Sequence, residues 1–201
     1  LPNHATDDAL NRAELHTDRI EVWVRRLESD VVVFYSGHGV PDPRSQRGYL
    51  LPTDADPDLI DITGYPLDVM LENLSKVPAR SMTVFLDACY TGGTRSKDVT
   101  LVASKRPVRV EALNQSVPQG FTILSASASD ETSMALEAAE PGMFSYFLMK
   151  GMEGEADANN DNEITAGELH SYVQTNVIQQ SSGSQTPELQ GDADRVLVRF
   201  Q

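Results

Sequence analysis

A histidine and a cysteine, each at the end of a strand-like apolar run, are the residues best suited to covalent chemistry. His38 lies between two glycines in "VVVFYSGHG", and Cys89, the only cysteine, ends "SMTVFLDAC". A cysteine is a strong nucleophile as a thiolate, and a nearby imidazole can take its proton. The glycines allow backbone N–H groups to approach a developing oxyanion. The alternative readings are a small core cysteine and an ordinary Gly-His-Gly turn.

Strands that alternate with helices are predicted to position these two residues. Residues 31–35 and 82–87 are short, unbroken apolar runs, which are typical of strands covered on both faces. The pattern indicates an α/β fold whose mostly parallel central sheet is flanked by helices. If the two runs are parallel neighbours, His38 and Cys89 project into the crevice outside the carboxyl ends of the strands, where ligands bind.

The rest of the chain supplies further elements of the same kind. An apolar stripe predicts a helix over residues 6–28, formed by Leu10, Ala13, Ile20, Trp23, Val24 and Leu27. The remaining predicted elements are a Pro/Asp-rich loop with at most a short hairpin (48–61), a helix that Pro66 opens and Pro78 follows, a strand over 120–127, helices over 142–152 and 166–179, and a last strand, "RVLVRF".

Bulk composition restricts the partners. The chain has 201 residues and a net charge of −14, which argues against nucleic acid as a general partner. It contains no apolar run of the roughly 20 residues needed to span a membrane. A single cysteine allows no internal disulfide, so a reducing, cytoplasmic location is expected.

The motifs "SGHG" and "DACYTGG" resemble those of caspase-like cysteine peptidases, specifically the metacaspases and their bacterial relatives. His38 precedes Cys89 by 51 residues, close to the spacing in the caspase signature. The segments "YLLPTDA", "ILSASASDETSMALE" and "GMFSYFLMKGM" extend the resemblance over most of the chain from residue 30 onward.

This resemblance implies a caspase-haemoglobinase-like three-layer sandwich and a single domain over residues 1–201. That domain would comprise a large-subunit-like part (about 1–94), a basic linker (about 95–119) and a small-subunit-like part (about 120–201). Caspase-like sheets also have strands before the segment that "LPNHATDD" resembles, so one or more N-terminal strands are expected to be missing. The exposed strand edge would then bind the protein's own N-terminal fragment or a regulatory protein.

The resemblance assigns catalytic roles residue by residue. Cys89 would be the nucleophile and His38 the general base and acid, and the reaction would pass through a thioester without any cofactor. The backbone N–H groups of Gly39 and Cys89 would form the oxyanion hole. The alternatives are a catalytically silent caspase-like scaffold and a calcium-binding interaction module.

Charge predicts the substrate class, a protein or peptide with Arg or Lys at P1. Asp87 stands where caspases carry the glutamine that helps to bind an acidic P1 residue, and a carboxylate there repels acids and attracts bases. Asp130 resembles the second carboxylate of a basic-selective pocket, with Glu131 as the alternative. Asp87 could instead be a buried structural carboxylate bonded to backbone N–H groups.

The segment "TRSKDVTLVASKRPVRVEAL" is basic and lies where caspase-like enzymes carry their processed linker. An enzyme that prefers Arg or Lys could cleave itself there, after Lys105, Arg106 or Arg109, and so become activated. An ordinary solvated loop is the alternative.

The segment "DANNDNEITAGE" carries oxygen donors at the calcium-coordinating positions of an EF-hand loop. Asn162 takes the place of the usual sixth-position glycine and tolerates the left-handed conformation that is needed there. The alternative is an Asx-rich turn that caps the next helix. The predicted calcium ligands are Asp157, Asn159, Asp161, the Glu163 carbonyl, Thr165 and Glu168.

Overall fold

The computed structural model describes residues 10–14, 21–42, 45, 47–56, 59–88, 117–126 and 142–201. Within them the strands are β1 (Leu10–Glu14), β2 (Glu21–Arg25), β3 (Asp30–Ser36), β4 (His38–Pro41), β5 (Gly48–Leu51), β6 (Tyr65–Pro66), β7 (Ser81–Asp87), β8 (Phe121–Ser125), β9 (Glu163–Thr165), β10 (Glu188–Gly191) and β11 (Val196–Arg199). The helices are α1 (Ile60–Thr63), α2 (Leu67–Ser75), α3 (Met143–Lys150), which a π-helical turn over Gly151–Glu155 extends, and α4 (Ala166–Gln180).

The central sheet has the strand order β10-β8-β7-β3. Strand β7 runs parallel to both β3 and β8, whereas β10 is antiparallel to β8. Asp30 lies opposite Ser81 at one end of the β3–β7 pair, and Ser36 lies opposite Asp87 at the other. The prediction that these two apolar runs are parallel neighbours in a mostly parallel sheet is therefore confirmed.

Helices cover both faces of the sheet at β7 and β8, where successive side chains point to opposite sides. Along β7, Val84 and Leu86 pack in one core with α2, whereas Phe85 packs in a second core with α3 and α4. The neighbouring strand β8 divides in the same way, with Ile123 in the first core and Leu124 in the second. The predicted three-layer α/β sandwich is confirmed.

Helices α2, α3 and α4 form where the sequence predicts them. Pro66, with φ −64°, precedes the first residue of α2, where proline's fixed φ suits a helix start. Helix α2 buries Leu67, Leu71 and Leu74 against the sheet. Thr165 and Glu168 form a capping box at the start of α4. Among the described residues, no helix is long and apolar enough to cross a membrane.

One face of β3 carries exposed apolar side chains. Val32 is 63% exposed and Phe34 is 53% exposed, on the face opposite to that of Val31 and Val33, which pack against the first core. In the described sheet, β3 is also the terminal strand. The pairing of a further strand along β3 stays a prediction.

One prediction about local structure is wrong. Residues 6–28 do not form one helix, because β1 and β2 pair as antiparallel strands with Leu10 opposite Arg25. Leu27 has a φ of 58°, which a right-handed helix excludes. The predicted last strand forms as β11 and pairs with β9, whereas β10 is the outer strand of the described central sheet, next to β8.

An exposed ion pair joins the amino ends of β3 and β7. Asp30 accepts hydrogen bonds from the Arg80 guanidinium and from Ser81 Oγ. The bond from Arg80, followed in importance by the bond from Ser81, lowers the pKa of Asp30 to about 2 from 3.8. Because the folded-state pKa is the lower one, the pair stabilises the fold above about pH 4, and this contribution is lost as the pH falls through 2.

We therefore expect Asp30→Asn to lower the Tm by about 1–3 °C at neutral pH and low salt, a small effect because the pair is solvent-screened. The difference from wild type should shrink between pH 4 and pH 2, which calorimetry over that range would measure. Asp54→Asn, at another exposed carboxylate, is the control. A deficit that persists unchanged at pH 2 would contradict the electrostatic explanation.

Candidate active site

His38 begins β4, two residues beyond the end of β3. Strand β4 turns back against β5, with His38 opposite Leu51. The Tyr35 hydroxyl donates to the His38 carbonyl at 3.0 Å and lies 3.3 Å from the Leu51 carbonyl. These contacts hold the backbone of the histidine at the carboxyl end of the central sheet. The side chain of His38 is half-buried, and Gly39 is buried.

Gly37 is a glycine because the Tyr35 ring occupies the space of a side chain. A Cβ at position 37 would lie 2.5 Å from Tyr35 Oη and 2.7 Å from its Cζ, closer than non-bonded atoms approach. The Gly37 N–H donates to the Asp87 carbonyl at 3.2 Å, which extends the contact between the two strand segments past the last paired residues. The close approach of Tyr35 thus explains the first glycine of "SGHG".

Cys89 lies outside the described residues, but β7 leads directly to it. Asp87 is the last residue of β7 and is registered with Ser36, and Ala88 after it is fully buried. His38 and Cys89 each follow this registered pair by two residues. The segments that carry both residues therefore leave the same end of the same parallel strand pair.

Asp87 is buried, with only 2% of its surface exposed. Its side chain follows Phe85 on the face of β7 that α3 covers. There, Ser145 Oγ of α3 donates to Asp87 Oδ2 at 2.5 Å. One alternative from the sequence is a structural carboxylate at this position with backbone N–H groups as its partners. In the structure, one partner of the Asp87 carboxylate is a side-chain hydroxyl, that of Ser145.

Sequence reasoning did not identify Tyr35 or Ser145 as parts of this region. Ser145 lies within the motif "GMFSYFLMKGM", next to the buried Phe144. A hydroxyl in an apolar helix that must pack on a sheet is the only signal that could have identified it. Asp130, its alternative Glu131 and the basic segment with Lys105, Arg106 and Arg109 lie outside the described residues.

The loop over 157–168 has the turns of the predicted metal-binding motif. The Asp157 carboxylate accepts from the N–H groups of Asp161 and Asn162 at 3.2 and 3.1 Å. Asn159 Oδ1 accepts from the Asp161 N–H at 2.9 Å. Asn162 has a φ of 63°, the left-handed conformation predicted for it. Strand β9 follows at once and pairs with β11.

The end of this loop makes a helix cap. Glu168 Oε2 accepts from the N–H and the hydroxyl of Thr165, at 2.9 and 2.8 Å. The Glu163 side-chain carboxylate, which is not the predicted ligand atom, accepts a hydrogen bond from Arg199 Nε at 2.6 Å. In the part of the chain that the structure describes, no three His, Cys, Asp or Glu side chains converge as a metal site. The residues fit calcium in their chemistry and order, whereas the described conformation uses their oxygens to hold the loop and cap α4.

Comparison with known proteins agrees with the strand-end motifs. A family model described as "Caspase domain" matches residues 6–198, nearly the whole chain. A search of curated proteins found no match. The family match extends over β3, β4 with the histidine, β7 with the segment before the cysteine, and the helices of the second core. This chain belongs to the caspase-domain family of peptidases.

Proposed function

We propose that the chain is a cysteine endopeptidase that cleaves proteins after Arg or Lys, with Cys89 and His38 as its catalytic dyad. The observation that carries the proposal is the parallel pairing of β3 and β7, with Ser36 opposite Asp87. Two residues of chain span at most about 7 Å. Each of the two residues therefore lies within about 7 Å of the end of its own strand, and the two strands are neighbours.

In the proposed reaction, His38 takes the thiol proton of Cys89, and the thiolate sulfur attacks the scissile carbonyl carbon. The tetrahedral oxyanion collapses to a thioester as the C–N bond breaks, and His38 returns its proton to the leaving amine. Water then loses a proton to His38 and attacks the thioester, which releases the acid and restores the thiol. The N–H groups of Gly39 and Cys89 would stabilise the oxyanion in both steps.

The proposed specificity rests on the charge of Asp87. Its carboxylate lies at the carboxyl end of β7, next to the segment that carries the nucleophile. A guanidinium or ammonium would make charge-assisted hydrogen bonds there, whereas an acidic side chain would meet a like charge. Asp130 is proposed as the second carboxylate, with Glu131 as the alternative. Activation would follow proteolysis of the basic segment or the binding of a partner.

The dyad is tested by Cys89→Ala and His38→Ala. Each should lower kcat/KM for peptide cleavage by on the order of 10³-fold or more, because the two residues act as a unit. Cys89→Ala should also abolish cleavage at Lys105, Arg106 or Arg109. Wild-type Cys89 should react with iodoacetamide at neutral pH faster than the same cysteine in His38→Ala, with His170→Gln as a control at another histidine.

Circular dichroism and the Tm should show that the variants remain folded. Full activity in either alanine variant would refute the peptidase proposal. A thiol that reacts slowly and independently of His38, in a protein without peptidase activity, would favour the silent scaffold.

The specificity is tested with fluorogenic peptides that differ only at P1. Wild type should cleave the Arg and Lys peptides and not the Asp peptide. Asp87→Asn should lower kcat/KM for the Arg peptide by about 10–100-fold, the range for a lost hydrogen bond to a charged group. Its rate of Cys89 alkylation should stay unchanged, and Asp61→Asn, at an exposed position of α1, is the control. Cleavage of the Asp peptide as fast as the Arg peptide would contradict the assignment.

We also propose that the loop over 157–168 binds calcium, and the left-handed Asn162 supports this. Calcium should then raise the Tm by mass action, and titration calorimetry should detect binding. Glu168→Gln should weaken binding most, although glutamine can keep the helix cap. The exposed Glu72→Gln is the control. If millimolar calcium gives neither heat nor a Tm shift, the loop serves only as a structural turn.

A further inference from the structure

We propose that Ser145 is a positioning residue that sets the plane of the Asp87 carboxylate and so makes the enzyme prefer Arg over Lys at P1. This inference rests on the proposed function, in which Asp87 binds the basic P1 side chain. The direct contact is the hydrogen bond from Ser145 Oγ to Asp87 Oδ2, at 2.5 Å. The two residues are 58 positions apart in the chain, so tertiary packing alone brings them together.

The hydroxyl belongs to a firmly packed helix. Ser145 is the third residue of α3, and its neighbours Phe144 and Leu148 are buried in the second core together with Phe85 of β7. Phe85 precedes Asp87 by two residues on the same face of the strand. The packing that seats α3 on the sheet therefore also fixes the distance from the hydroxyl to the carboxylate.

A hydrogen bond to one oxygen restricts the rotation of a carboxylate. The terminal torsion of an aspartate is otherwise broad, without sharp staggered minima. A serine has a single side-chain torsion before its hydroxyl, so it can hold an acceptor at little cost in entropy. The bond uses one of about four acceptor positions of the carboxylate.

A fixed carboxylate plane matters more to arginine than to lysine. A guanidinium donates two parallel N–H bonds to a carboxylate only when the two planes align, whereas an ammonium is a point charge whose donors rotate freely. Ser145 also lies in the first turn of α3, where the helix dipole stabilises a nearby negative charge. The dipole does not distinguish a guanidinium from an ammonium, whereas the fixed orientation would favour arginine.

The experiment measures kcat and KM for matched P1-Arg and P1-Lys peptides. In Ser145→Ala, KM for the Arg peptide should rise about tenfold, as for one lost hydrogen bond to a charged group. KM for the Lys peptide should rise no more than about twofold, because an ammonium needs no fixed plane. The kcat values and the Cys89 alkylation rate should stay close to wild type. Ser145→Thr, which retains a hydroxyl, should restore the Arg/Lys ratio.

Ser171→Ala is the matched control. Ser171 is an exposed serine of α4 that donates to the Gly167 carbonyl at 2.8 Å, so its removal also deletes one helix hydrogen bond. It should leave the Arg/Lys ratio unchanged. Ser145→Ala in the Asp87→Asn background should not change the ratio further, because the serine acts through that carboxylate.

Equal losses for both peptides, an unchanged ratio in Ser145→Ala, or a ratio that Ser145→Thr fails to restore would overturn the positioning role. If Ser145→Ala does not fold, the Thr variant alone decides, since a hydroxyl that orients Asp87 must preserve the ratio. Failure of the proposed function itself would be seen separately, as a wild type that does not cleave after Arg or Lys or as an Asp87→Asn variant with unchanged activity.

Discussion

The in-register pairing of β3 with β7 is the constraint on which the described structure depends. The pairing runs from Asp30 and Ser81 to Ser36 and Asp87 without a bulge. A shift by one residue would move each side chain of one strand to the opposite face. It would exchange Phe85 for Val84 and Leu86 in the two cores and turn Asp87 away from α3. The register thus determines both the packing of the layers and the chemical groups at their carboxyl edge.

The hairpin of β4 and β5 carries this constraint to His38. The bond from the Gly37 N–H to the Asp87 carbonyl continues the β3–β7 contact, and the Tyr35 hydroxyl joins the carbonyls of His38 and Leu51. Tyr35 belongs to β3 and packs against the first core, to which α2 also contributes side chains. The backbone position of His38 therefore depends on hydrophobic packing as well as on the loop in which it lies.

The parts of the fold that could be predicted are those where burial on both faces leaves an unbroken apolar run, as in β7 and β8, or where helix start signals flank an apolar stripe, as at Pro66 and Thr165. Strand β3 also has an unbroken apolar run, but Val32 and Phe34 on one of its faces are exposed. The prediction of a helix over 6–28 failed because its apolar spacing also allows strands, and the pairing of β1 with β2 is a tertiary contact that the local pattern does not contain. Strand β10 has no apolar run and was not predicted. It is held in the sheet by backbone hydrogen bonds to its neighbour β8, which do not depend on apolar side chains.

For the site, period-two alternation assigns Asp87 to a face of the sheet. The helix that covers this face, and hence Ser145, follows from tertiary packing that a local pattern does not contain.

The close approach of Tyr35 to Gly37 has a consequence for evolutionary variation. A relative that carries a larger residue at position 37 must either move the aromatic ring of residue 35 away or carry a smaller side chain there. Phenylalanine would not suffice, because the ring carbon Cζ would still lie 2.7 Å from the new Cβ. Loss of the tyrosine would remove its hydroxyl from the two carbonyls of the hairpin, so a second compensating change would be needed there. The two positions are therefore expected to covary across the family. Where either one is substituted, other hydrogen bonds are expected to hold the β4–β5 hairpin that carries His38.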